Sequence, residues 1–323
     1  MDFYPLTRTA EQINSDAVRW RRIAKFTAIG AMACIATMNL SFSFFDTNVS
    51  HFVSDKTQEE TDDGEFIIIT ANIRNKHRYA AGLMSTNNSD LGLFQETSKN
   101  NIKGLVNSLA SSEADFAPSD YAVDWQNGGQ GNTTVSIGLE PTHDMRQFYN
   151  SVNVGRWLNG LWALDKRAMA NAYKERRSAI ISSFDAKISG LDVPVNIMNI
   201  HIAGGNEGKR QLDEALEFAE SEMDEAGSIN IISGDLNQAP GQIRPKFGKL
   251  NKPWVVANIG ATSRDSGSQI DHFIYQPVVI IDGQHYKVSP KINIDDTKGS
   301  DHRAIVTTLN LKPIYDLKDI VAE

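Results

Sequence analysis

Two short stretches of this sequence carry side chains that could act together on a charged substrate. Ser233-Gly234-Asp235-Leu236-Asn237 follows the apolar run Ile229-Asn230-Ile231-Ile232, which reads as a buried strand. Asp235 and Asn237 are one pleat period apart, so a strand end would present a carboxylate and a carboxamide on one side. Gly299-Ser300-Asp301-His302 precedes a second apolar strand, Ala304 to Leu309, and sets a carboxylate beside an imidazole. Gly-Asp-x-Asn is also a good turn sequence, because Gly and Asn tolerate positive φ and Asp caps its own backbone. Neither motif decides anything alone. Other strand ends, however, add Asn72, Glu96, His201, and Asp271 with His272, so the chemistry rests on an ordered set.

Hard oxygen donors without a cysteine among them suggest Mg²⁺, with Mn²⁺ or Ca²⁺ as alternatives, in preference to zinc. Two histidines among carboxylates suit general acid and base roles, since imidazole titrates near neutrality and a carboxylate partner fixes its tautomer. A divalent ion with an acid–base pair is the equipment for breaking a phosphate ester, where charge on the phosphoryl oxygens must be neutralised.

The elements that must position these residues are many short strands with interspersed helices. Strands are expected at Phe66 to Ala71, Asp90 to Phe94, Tyr121 to Trp125, Thr133 to Leu139, Ser178 to Phe184, Val193 to Ile200, Ile229 to Ser233, Gln269 to Tyr275, Val278 to Ile281 and Ala304 to Leu311. Helices are expected at Tyr79 to Met84, Ile102 to Ala110, around Arg156 to Asn171, and at Gly208 to Ala226. Some pairs are hairpin-like, which argues a mixed α/β sandwich over a purely parallel sheet. His272 should be structural, because in a regular strand it faces away from Asp271.

The 323 residues are 41% hydrophobic and 22% charged, ordinary for a soluble globular body. The single cysteine, Cys34, excludes an intrachain disulfide. Residues 1–25 form a basic segment with Arg19, Arg21, Arg22 and Lys25, followed by twenty uncharged residues at 26–45. Such a length just spans the hydrocarbon core of a bilayer. The charge asymmetry places the basic end in the cytoplasm and exports the rest. The stretch reads as a signal anchor or, with Ala31-Met32-Ala33, as a cleaved signal peptide. Residues 46–64 read as a polar linker, 65–312 as the catalytic domain and 313–323 as a C-terminal tail. The expected location is the cell envelope, by a single-pass membrane anchor, or secretion.

Ile69-Thr70-Ala71-Asn72-Ile73-Arg74, Leu93-Phe94-Gln95-Glu96, Asn199-Ile200-His201, Ser233-Gly234-Asp235-Leu236-Asn237, Gln269-Ile270-Asp271-His272 and Ser300-Asp301-His302 resemble, in type and order, the successive motifs of the endonuclease/exonuclease/phosphatase superfamily. Asn72-Ile73-Arg74 and Asn199-Ile200-His201 are most similar to the deoxyribonuclease I branch. The resemblance implies a four-layered α/β sandwich of two mixed β-sheets flanked by helices, with the site at one rim. It implies that Asn72 and Glu96 hold a metal with Asp301 nearby, and that Asp235 and Asn237 position the scissile phosphate. It further implies that His201 and His302 are the acid–base pair, with Asp271 orienting His302. Deoxyribonuclease I orients the histidine that matches His201 with a glutamate; the aligned position here holds Asn132 or Thr133. Arg176, Arg177 and Asn132 are the expected substrate contacts.

Charge bears on the substrate. The formal net charge is −8, and removing residues 1–45, with five basic and three acidic side chains, leaves 27 basic against 37 acidic, a net −10. Broad sequence-independent DNA binding normally uses a basic face. The leading reading is an Mg²⁺-dependent endonuclease of low sequence specificity acting on DNA or RNA. Beside it stands a phosphodiesterase or phosphatase for lipid head groups or phosphorylated polyols, for which the loop Trp157 to Trp162 could contact a membrane. A non-catalytic binding module is the third reading, and the filled catalytic positions speak against it. No protein partner is implied.

Overall fold

The computed structural model describes residues 65–98, 104, 105, 107–109, 117–122, 131–137, 139, 142, 146–149, 177–223 and 227–315. The segments 1–25 and 26–45, the linker 46–64, the helix expected around 156–171 and the loop 157–162 lie outside these residues. No described helix is long and apolar enough to cross a membrane.

Two six-stranded mixed sheets dominate the described residues. The first is built from β1 (Phe66–Asn72), β2 (Leu91–Thr97), β3 (Ala117–Ala122), β4 (Gly131–Ser136), β13 (Lys291–Asp295) and β14 (Ala304–Leu309), in the order β13-β14-β1-β2-β4-β3. The second is built from β5 (Arg146–Tyr149), β6 (Ser178–Ile188), β7 (Leu191–His201), β8 (Ile229–Asp235), β9 (Val255–Val256) and β10 (Asp271–Tyr275), in the order β5-β6-β7-β8-β10-β9. Each sheet has one parallel pair at its centre, β1 with β2 and β7 with β8, among antiparallel neighbours. A smaller sheet joins β11 (Val278–Ile281), β12 (Gln284–Val288) and β15 (Leu311–Pro313). Among the described residues, the helices with complete bounds are α1 (His77–Asn87), α2 (Gly205–Glu222) and α3 (Pro240–Phe247), and residues 104, 105 and 107–109 are also helical.

Period-two patterning decides which face of each strand is buried where. On β1, Phe66 and Ile68 point between the sheets, where they meet Phe184, Val195, Ile197, Ile231 and Phe273 of the second sheet. The alternate residues Ile69 and Ala71 pack under α1 against Ala80, Leu83 and Met84. On the far side, α2 lays Leu212, Ala215, Leu216 and Ala219 on Met198, Ile200 and Ile232. That spacing is the apolar stripe of an amphipathic helix. The result is helix, sheet, sheet, helix: the four-layered, deoxyribonuclease I-like sandwich.

Toward one end of the sandwich the inter-sheet core changes character. Past Ile68 the inward residues of β1 are Thr70 and Asn72, and past Ile197 those of β7 are Asn199 and His201. Thr70 Oγ1 meets Ser233 Oγ across the sheets at 2.7 Å. Gln95 Nε2 donates to Asn199 Oδ1 at 2.7 Å, while Asn199 Nδ2 donates to the carbonyls of Thr133 and Phe94 at 3.0 and 3.3 Å. All are buried. Burial is tolerable because most of these groups satisfy one another, Gln95 Oε1 being the exception.

At the opposite end Asp90 precedes β2, and its Oδ2 accepts the Ile67 N–H at 2.7 Å. Burial pushes this carboxyl from 3.8 to about 6. A folded-state pKa above the unfolded one means that the stabilising contribution is present below about pH 4 and lost as pH rises through about 6. Asp90→Asn keeps an acceptor for Ile67 and removes the buried charge. It should therefore stabilise the fold at pH 8 by about 1 kcal/mol and leave it unchanged at pH 4. Equal melting temperatures for parent and variant at pH 8 would show that the charge carries no cost.

Candidate active site

Register builds the floor of the site. In the β7–β8 ladder His201 stands opposite Asp235, and in the β8–β10 ladder Asp235 stands opposite Asp271. Residues in one row of a sheet share a face, so three chemically active side chains lie abreast. Gly234 makes this row tight. Its φ is +150°, and a Cβ built there would lie 1.9 Å from the Ile200 carbonyl oxygen. The glycine is thus the penultimate residue of β8, packed on its neighbour strand, and not part of a turn. The left-handed residue is Asn237, at φ +48°. Its N–H donates to Asp235 Oδ1 at 3.0 Å and its Nδ2 to the Ile202 carbonyl at 3.0 Å.

The first sheet supplies the other wall. Asn72 ends β1, and its Nδ2 donates to Asp235 Oδ2 and to Glu96 Oε1, each at 3.1 Å. Glu96 reaches this position through a break in the β2–β4 register between Phe94 and Thr97 and its own φ of +55°. A left-handed non-glycine residue is strained, and here the strain re-aims a side chain, as bulges do. His302, just before β14, turns Nδ1 to Asp271 at 3.0 and 2.9 Å from its two oxygens, leaving Nε2 3.9 Å from Asp235 Oδ2. His201 Nε2 lies 3.5 Å from the same oxygen. Asp235 Oδ2 is therefore the meeting point of two imidazoles and a carboxamide.

Exposure is graded. Asp235, Asp271 and Asn72 are essentially inaccessible, whereas the Glu96, Asp301 and Arg74 side chains are 21%, 27% and 54% exposed. Buried charges must compensate one another. Burial, then the charge of Asp271, raises the Asp235 carboxyl to about 7, against the opposing pull of His302 and the bonds from Asn72 and Asn237. Burial would lower the His302 imidazole, but its bond to Asp271, then the charges of Asp271, Asp235 and Asp301, raise it to about 9. His201 is held well below its usual range by burial, Arg177 and His302. One imidazole is biased toward the cation and the other toward the neutral ring, beside the Asp235 and Asp271 carboxyls. Such a split is the electrostatic signature of an acid and a base.

The structure brings His201, His302, Asp271, Asp235, Asn237, Asn72 and Glu96 together, with Asp301 at the rim. Asn132 is buried, and its Nδ2 donates to the carbonyls of Ser178 and Asn199 at 2.8 and 3.3 Å. Ser178 pairs with His201 in the β6–β7 ladder, so Asn132 ties the two sheets together beside that row. Thr133 lends its carbonyl to Asn199 and its hydroxyl to Thr97. Arg177 bears on His201 by its charge, and Arg176 lies outside the described residues. His272 faces the other way, with Nε2 2.7 Å from the Gln238 carbonyl and Nδ1 3.2 Å from Gln269. Two contributors were not foreseen. Thr262 Oγ1 accepts the N–H groups of Ile270 and Asp271 at 3.0 and 2.9 Å, and no pattern around it signals this. Arg74 Nη1 donates to Asp301 Oδ2 at 2.8 Å, and its place two residues after Asn72 was the available clue.

Two oxygen-rich groups could attract a cation. Asp235, Asp271 and His302 present ligand atoms all within 4.8 Å of one another, but Asp271 already engages His302 Nδ1. Glu96 and Asp301, more exposed, flank the buried Asn72 and together offer two carboxylates and a carboxamide, which are hard donors suited to Mg²⁺ or Ca²⁺. The donor chemistry fits such an ion.

No protein-family model and no curated protein matches the sequence. Solved structures do. An endonuclease/exonuclease/phosphatase from Bacteroides vulgatus is 15% identical, with 77% of this chain and 99% of that one covered at a TM-score of 0.53. A functionally unknown conserved protein from Enterococcus faecalis is 15% identical, with 77% and 100% covered and a TM-score of 0.54. D. rerio TDP2 humanized by 14 mutations is 14% identical, with 77% and 100% covered and a TM-score of 0.51. The chain has the endonuclease/exonuclease/phosphatase fold. At these identities the likeness speaks for the fold alone, and the activity is argued from the site.

Proposed function

We propose that this chain is a divalent-metal-dependent phosphodiester hydrolase, an endonuclease of low sequence specificity whose site is carried outside the cytoplasm by the apolar stretch 26–45. The observation that carries the reading is the pair of oppositely poised imidazoles on Asp235 Oδ2. His201, neutral, takes the proton from a water that attacks phosphorus in line. His302, charged and held by Asp271, gives its proton to the leaving ester oxygen as the P–O bond breaks. The proton count balances, and product release with proton exchange restores both rings. Asp235 and Asn237 orient the phosphate and the attacking water. Glu96, Asn72 and Asp301 would hold Mg²⁺ (Mn²⁺ or Ca²⁺ as substitutes), which when bound neutralises charge on the phosphoryl oxygens. Arg177 supports the substrate side by its charge.

The test is nicking of supercoiled plasmid by the full chain in Mg²⁺, with and without excess chelator, beside Asp235→Ala. Nicking that requires both the metal and Asp235 is expected. The net charge of −8 supports a second, smaller class of substrate, since an acidic body repels a long polyanion. A folded, metal-loaded chain that leaves plasmid intact would move the substrate to RNA, lipid head groups or phosphorylated polyols.

A further inference from the structure

Arg74 occupies a place that its motif does not explain. Its backbone is fixed: Ile73 N donates to the Gln95 carbonyl at 3.1 Å, Asn75 N to the Glu96 carbonyl at 2.8 Å, and Arg74 N to Asn72 Oδ1 at 3.3 Å. The φ of +45° at Arg74 turns the side chain over the rim of the site. There Nη1 donates to Asp301 Oδ2 at 2.8 Å, and Nε stands 4.0 Å from Glu96 Oε2. One guanidinium thus serves both carboxylates of the rim, and these are the two carboxylates assigned above to the metal. A guanidinium does not give up its proton in a protein. It therefore cannot accommodate a second cation by becoming neutral; it can only leave. It has room to do so, since the side chain is half exposed while the backbone is held.

We propose that Arg74 is the resident counter-cation of Glu96 and Asp301, and that a divalent ion enters this pair by displacing its guanidinium. The inference rests on the metal assignment of the preceding section. It goes beyond that assignment in making ion entry an exchange of one cation for another. Two properties follow. Without the ion, Arg74 keeps two like charges from repelling each other, so the rim stays assembled around Asn72. With the ion, affinity is set by a competition, and weakening the competitor strengthens binding.

The experiment is calorimetric titration of MgCl₂ into the full chain as the parent, Arg74→Met, Arg74→Lys and Glu96→Gln, with thermal melts in chelator as a check on folding. Arg74→Met should bind Mg²⁺ more tightly, on the order of tenfold, because a unit charge a few ångströms away is removed. Arg74→Lys should fall between it and the parent, since a point ammonium cannot bridge two carboxylates as a planar fork does. Glu96→Gln should bind more weakly. In chelator Arg74→Met should melt below the parent, and Mg²⁺ should raise its melting temperature more than the parent's. Parent-like binding by Glu96→Gln would overturn the metal assignment and the exchange with it. Weak binding by Glu96→Gln together with unchanged binding by Arg74→Met would overturn the exchange alone.

Discussion

Replacing His302 with alanine is expected to slow phosphodiester cleavage about a thousandfold, equivalent to about 4 kcal/mol of transition-state stabilisation. The fold should survive, because the ring is at the edge of the sandwich and the β14 backbone is held independently by the ladders to β1 and β13. Asp271→Asn should cost less, since the ring would remain while losing the carboxylate that keeps it charged. The pH profile separates a chemical role from a merely structural one. His302 is the cation below about 9, so the parent rate should fall as pH rises through 9 or somewhat lower, because a bound divalent cation only depresses a neighbouring imidazolium. His302→Ala should lack that alkaline limb. A variant with near-parent rate, or with the limb intact, would remove His302 from the proton transfers.

Gly234→Ala should damage the protein more broadly. The added methyl carbon would lie 1.9 Å from the Ile200 carbonyl oxygen and 2.9 Å from its carbon, on a backbone at φ +150°. Neither contact can be relieved by a flexible side chain, because both atoms belong to the β7 backbone. To make room, β7 must move away from β8 at the Ile200–Gly234 rung, directly next to the one that carries His201 and Asp235. The expected loss is roughly 3 kcal/mol or more, read from urea unfolding. Residual soluble protein should lose cleavage out of proportion to its folded fraction. Gly82→Ala is the control: it lies within α1, a Cβ there meets nothing within 4 Å, and alanine should stabilise by about 0.5–1 kcal/mol. A Gly234→Ala variant as stable as Gly82→Ala would show that the two strands are not packed as closely as the structure has them.

Much of the fold was legible because buried strands of Ile, Val, Leu and Phe announce themselves. The runs at Phe66, Leu91, Ser178, Leu191, Ile229 and Ala304 are such strands, and each is at or close to its expected position. What stayed hidden had weak or contrary local signals. Strands β12 and β13 are only partly buried, so their apolar alternation is thin. Helix α3 carries Pro240 at its start and Pro245 inside it, a composition that reads as loop. For the candidate site, residue types and order pointed to strand ends that the structure brings together. The rung shared by His201, Asp235 and Asp271 could not be read, because register is decided by pairing across the sheet. Nor could the turn of Glu96, since a bulge leaves no mark in residue type. The tie that Asn132 makes was hidden for a related reason: its amide reaches two carbonyls in the adjoining sheet, a contact that residue type alone does not reveal.

The hydrogen-bonded layer beneath the site has a bearing on alignment between the two sheets. Branched aliphatic side chains hold two sheets together without dictating how far one slides over the other, because dispersion and burial have no preferred direction. Thr70 with Ser233, and Gln95 with Asn199, do have one: a shift of an ångström or two would strand buried donors. These pairs act as dowels between two boards that the apolar end merely glues. Site groups contributed by separate sheets, Asn72 and Glu96 from one and His201 and Asp235 from the other, keep their spacing because the dowels stand directly below them. Swapping aliphatic residues at the far end should therefore loosen the glue without misaligning the tools.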